Sequence, residues 1–147
     1  MALITEKDIF LSENLSTRNE VLKRLAEISV EAGISDSIDD VYNAYLEREE
    51  VGSTGMINGF SIPHAKSDSI KKPKILFLRN AQQISDWETL DENPVEVIIS
   101  FLIPKGKGEE EHLRNLATVS KKLMKAENVN ILKTTDDKAE IMGVLSA

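Results

Sequence analysis

Apolar positions along this chain recur in two rhythms, one helical and one extended, and their succession predicts its elements. Residues 8–12 (Asp-Ile-Phe-Leu-Ser) read as a short first strand. Thr17-Arg18-Asn19-Glu20 then matches a capping box, in which a hydroxyl and a carboxylate satisfy free amides at a helix start. Val21, Leu22, Leu25, Ile28 and Ala32 follow at helical spacing, and Gly33 is a natural stop. A second helix starts at Ser37, with Asp39 and Asp40 favourable in its first turn and Val41, Tyr42, Tyr45 and Leu46 as its apolar stripe. It runs through Glu47-Arg48-Glu49-Glu50 and ends near Gly52.

Residues 52–59 (Gly-Ser-Thr-Gly-Met-Ile-Asn-Gly) follow neither rhythm and read as a loop with backbone freedom. Phe60 to Ile62 forms a brief strand that Pro63 ends, leaving His64 at its tip. Lys74 to Leu78 reads as another strand, and Asp86 to Pro94 as a turn-rich connection holding the only tryptophan, Trp87. Val95 to Ile103 is the strongest strand signal, a nearly continuous apolar run suited to the centre of a sheet. After the Pro104–Gly108 loop, a helix carries Glu109, Glu110 and Glu111 in its first turn, then His112, Leu113, Leu116, Ala117, Ser120, Leu123 and Met124. The spacing of His112, Leu116, Ser120 and Leu123 puts the histidine on or beside the buried stripe. A short helix from Asp137 to Leu145 closes the chain. Interleaved helices and strands predict an α/β domain with a covered sheet, in an order the pattern does not reveal.

Composition narrows the functions open to such a domain. At 147 residues, the chain reads as one domain over residues 1–147, long enough to bury a real core. With 41% hydrophobic and 29% charged residues it is too apolar for disorder. Its net charge of −7 argues against nucleic acid as a partner, because phosphate backbones require a basic footprint. A protein partner bearing a basic patch stays open. Having no cysteine, it has no disulfide, no thiolate zinc site and no thiol nucleophile. No apolar run approaches the ~18 residues of a membrane span, and the N-terminus lacks a signal-peptide pattern. These features predict a soluble cytoplasmic domain with no direct membrane insertion.

Candidate chemistry centres on two histidines. The phosphate-cradling glycine motifs of nucleotide-binding proteins are absent, since Gly52, Gly55 and Gly59 have the wrong spacing and no lysine follows them in the loop. A nucleophile elbow is absent too, and no two histidines share metal-ligand spacing on one helix, so neither a metal nor a cofactor is expected. His64 lies behind a rigid proline and a glycine-rich loop whose amides can face an anion. It reads as a nucleophile, a metal ligand or a half-buried packed side chain. His112 reads as a core-edge histidine or a site residue, and Arg48 as a solvated helix residue or a planar fork for phosphate or carboxylate.

Together these residues resemble a known family. Arg48-Glu49-Glu50-x-Gly52-Ser53-Thr54-Gly55, followed by Ile62-Pro63-His64-Ala65, resembles the phosphorylation-site region of type 2 enzyme IIA domains of the bacterial phosphotransferase system (the fructose/mannitol and nitrogen-regulatory group). The likeness continues through Trp87-Glu88-x-Leu90-Asp91 and Pro94-Val95 to Glu111-His112-Leu113-x-x-Leu116-Ala117, in family order over essentially the whole chain. It implies a three-layer αβα sandwich around a mixed β-sheet. It also implies a phosphotransferase that accepts a phosphoryl group from phospho-HPr on His64 and passes it to a IIB domain for sugar uptake. The IIC membrane component would be only an indirect partner. Arg48, His112 and Thr54 would contact the phosphoryl group. The same motif also implies an alternative, a nitrogen-regulatory protein that acts by phosphorylation-dependent binding. A metal-dependent hydrolase built on the two histidines is a third reading. Two positions depart from the family pattern: Ile57 replaces the usual Gly or Ala, and Ser61 replaces a common alanine. Isoleucine at positive φ would be strained, so either the loop takes another path or that position does not need positive φ.

Overall fold

A computed structural model describes residues 3–146 and places ten regular elements on a mixed sheet. A single 3-10 turn, Glu6–Asp8, leads into β1 (Ile9–Glu13). Helices α1 (Arg18–Glu31) and α2 (Ile38–Val51) follow, then β2 (Phe60–Ser61), β3 (His64–Ser67), β4 (Lys74–Ile84) and β5 (Val95–Pro104). Three helices close the chain: α3 (Glu109–Lys122), α4 (Ala126–Thr134) and α5 (Lys138–Ser146). β4 and β5 pair antiparallel at the centre, β1 lies parallel to β4, and β2 and β3 lie parallel to β5 along one edge.

Strand alternation divides the core in two. Leu76, Leu78, Ile98, Leu102 and Ala65 face α1 and α2. Ile75, Phe77, Ile99, Phe101 and Ile103 face the other way, toward α3, α4 and α5. The result is the predicted αβα sandwich, with the apolar β5 buried on both faces.

The predicted helix starts are where the chain places them. Thr17 accepts the amide of Glu20, but the Glu20 carboxylate reaches the amide of Ser16 rather than closing the box on Thr17. Ser37 caps α2 by accepting the amide of Asp40. In α3 the buried stripe differs from expectation. Val119 and Leu123 are buried, whereas Leu113 and Met124 are exposed. α4 was not foreseen, because Val129 and Leu132 offer too few apolar positions to mark nine residues as a helix by themselves.

The edge strand carries the main correction. β2 stops at Ser61, just before Pro63, but the chain then resumes pairing with β5 from His64 onward. Proline is tolerated at this edge because its missing amide removes no ladder bond, while its carbonyl accepts the amide of Phe101 at 3.0 Å. His64 is therefore the first residue of a strand rather than the tip of one. In the register it stands opposite Phe101.

Candidate functional site

Three elements converge on His64. β3 fixes its backbone, β5 supplies the Phe101 ring beneath it, and α3 brings His112 against it. The His64 and Phe101 rings stack with centroids 5.6 Å apart. His112 meets His64 edge-on, with centroids 5.1 Å apart and planes at 90°. It also packs against Phe101 at 5.5 Å. Phe101 is thus the floor on which both imidazoles rest. Sequence reasoning assigned it only to the strand, since nothing in an apolar run marks one member as a platform.

His64 is only 8% exposed, and its Nδ1 is buried without a hydrogen-bond partner. Nε2 is not among the buried atoms that lack a partner. Burial is the main reason the ring resists a proton, reinforced by repulsion from His112 and then from Arg48. The Ile62 carbonyl acts in the opposite direction without completing a hydrogen bond to Nδ1. The net effect pushes the His64 pKa down to about 3. His112, half-buried, is also shifted downward, by burial, then Lys66, then Arg48. Burial and nearby cations thus outweigh the three glutamates in the first turn of the same helix. At neutral pH both rings are uncharged, each with a free lone pair.

Arg48 sits in the last turn of α2, where its charge suits the helix terminus, and Nη1 donates to the Gly52 carbonyl at 2.7 Å. That single bond aims the guanidinium and leaves its other N–H groups for a ligand. Its charge reaches both histidines, so the structure brings together Arg48, His64 and His112.

Thr54 is positioned differently. It is buried, and its hydroxyl donates to the Glu49 carboxylate, as does its amide at 3.2 Å. A contact from this hydroxyl to a phosphoryl oxygen requires it to leave Glu49. Glu49 itself is the residue that sequence reading passed over as one of a charged run. It is buried and also accepts Trp87 Nε1–H at 3.1 Å, so one carboxylate ties the end of α2 to the glycine loop and to the connection before β5. The signal available in sequence was a lone tryptophan with an unassigned N–H partner.

The loop answers the question posed by Ile57. Left-handed backbone falls on Asn58 (φ 59) and Gly59 (φ 84), so Ile57 is under no such strain. Gly55 is required for a different reason, since a Cβ there would stand 2.0 Å from the Glu88 carbonyl oxygen. Ser61, in place of the usual alanine, is fully buried and its hydroxyl has no partner. Among the described residues, no group of three or more His, Asp or Glu side chains is placed to hold a metal ion, and no helix is long and apolar enough to cross a membrane.

Known proteins share this fold and much of this sequence. The family model for the EIIA 2 component of the phosphoenolpyruvate-dependent sugar phosphotransferase system matches residues 2–147. A fructose-specific EIIA component from Haloferax volcanii is 34% identical over 94% of this chain and 88% of its own. In fold, the chain is similar to the nitrogen regulatory protein IIA-Ntr of Neisseria meningitidis, with a TM-score of 0.89 and 24% identity over 97% of this chain and 96% of that one. It is also similar to Escherichia coli enzyme IIA-mannitol, solved in complex with phosphorylated IIB-mannitol (TM-score 0.80, 17% identity, 99% of each chain).

Proposed function

The chain belongs to the EIIA 2 family of the phosphoenolpyruvate-dependent sugar phosphotransferase system, and on that premise we propose that His64 is its phosphoryl acceptor. The observation that carries this reading is the His64 ring, uncharged with its pKa pushed down to about 3 and buried at Nδ1, with a second imidazole 5.1 Å away. A nucleophile that stays unprotonated needs no general base.

In the proposed step the Nε2 lone pair of His64 attacks the phosphorus carried by phospho-HPr. A new N–P bond forms as the donor's N–P bond breaks, and that electron pair returns to the donor imidazole. The positive charge of the phosphorylated ring passes with the phosphoryl group, so no proton need be added or removed. The transition state is loose, with charge on the peripheral oxygens, and catalysis amounts to positioning and charge stabilisation. Arg48 offers two N–H groups to those oxygens and His112 a ring N–H. The same chemistry in reverse hands the group to a IIB domain. The protein then acts as a cytoplasmic carrier in sugar uptake, and the fructose-specific relative supports a sugar of that class.

Incubation with phosphoenolpyruvate, enzyme I and HPr is expected to label the protein once, with an acid-labile, base-stable phosphate on His64, and a IIB protein should remove it. A phosphate mapped to any other residue, or full labelling of His64→Ala, would overturn the proposal. Retention of the label in the presence of IIB proteins, with binding that depends on it, would instead favour the regulatory reading.

A further inference from the structure

We propose that Lys66 is a second cationic ligand of the phosphoryl group beside Arg48, held on Glu109 while His64 is unmodified and released to the phosphoryl oxygens when it is carried. The proposal rests on His64 as the acceptor. Alternation along β3 places it: Ala65 is buried in the core beneath α1 and α2, so His64 and Lys66 both project from the opposite face. Lys66 pairs with Ile103, two positions beyond the His64–Phe101 pair. Two residues along a strand span about 7 Å, within the range over which a flexible lysine stem can redirect its ammonium. Its charge already acts on the His112 ring, which touches His64.

The present partner of Lys66 is weak. Nζ stands 3.5 Å from Glu109 Oε2, longer than a close charge-assisted bond, and the two side chains are 49% and 53% exposed. Exposed pairs of this kind contribute little, and a phosphoryl group of nearly two negative charges is the stronger competitor. The donor set leaves room for it. Three peripheral oxygens can each accept more than one hydrogen bond; Arg48 and His112 supply one N–H for each, and the Thr54 hydroxyl is committed to Glu49. Lys66 is the further donor that the fold directs to that side.

The test is the equilibrium of phosphoryl exchange between phospho-HPr and the full-length protein, read as the phosphorylated fraction by phosphorus NMR, with thermal unfolding of each variant alongside. Lys66→Met is expected to move the equilibrium toward the donor by about five- to tenfold, and Lys66→Arg to stay within about twofold of wild type. Glu109→Gln is expected to move it about two- to threefold the opposite way, and to have no effect once Lys66 is Met. A purely structural role would not produce opposite signs in the single variants together with loss of the Glu109 effect once Lys66 is Met. Unchanged equilibria in both single variants, or shifts of the same sign, would overturn the assignment of Lys66 and leave His64 standing. If wild type itself carries no phosphate on His64, both readings fall, and the unmutated protein alone shows it.

Discussion

Lowering the pH should remove stability through His64 specifically, by an amount the site geometry sets. In the unfolded chain the ring takes a proton near its ordinary 6.5, whereas in the fold burial and two neighbours hold it down to about 3. Below about 6.5 the unfolded state therefore binds the extra proton, and stability falls with pH until the folded ring also protonates. Each pH unit in that window removes about 1.4 kcal/mol, so ~2 kcal/mol is gone by pH 5. His64→Gln keeps an amide near the ring's size but cannot titrate. Urea unfolding of both proteins from pH 7.5 to 4.5 isolates the effect, because carboxylate titration is common to the two. The expected result is a wild-type stability that declines more steeply below about pH 6.5, with equal slopes against urea. Parallel profiles, or a His64 ring proton titrating near 6.5 by NMR, would refute the reasoning that burial keeps this ring neutral.

Three further outcomes follow from named contacts. Ser61→Ala removes a buried hydroxyl that has no partner and should raise the urea midpoint by the equivalent of ~1 kcal/mol, whereas a lowered midpoint would mean the hydroxyl is satisfied. Glu49→Ala leaves the Thr54 and Trp87 donors without their acceptor and should cost ~2 kcal/mol. Because Trp87 is the only tryptophan, its emission should shift red as water reaches the indole, and an unmoved spectrum would count against Glu49 as its anchor. Arg48→Lys keeps the charge but loses the planar fork, and phosphoryl transfer should slow by about tenfold in rapid-quench kinetics. Unchanged kinetics would remove Arg48 from the site.

The sequence by itself determined four of the five helices, the buried central strand and the residues proposed for the chemistry. Those features are local: capping at Thr17 and Ser37 joins side chains to amides three residues away, and β5 is apolar throughout because both its faces are covered. The order of the strands, the continuation of the edge past Pro63 and the existence of α4 depend on partners far along the chain. So does the meaning of individual polar residues. Glu49 resembles its neighbours in a charged run until folding brings Thr54 and Trp87 to its carboxylate. Ile57 is free of strain because Asn58 and Gly59 take the left-handed turn. His64 itself was legible as a residue of interest, but not as a ring whose pKa is pushed far down. That property comes from burial on Phe101 and from the approach of His112 and Arg48, and it exists only where α2, β3, β5 and α3 meet.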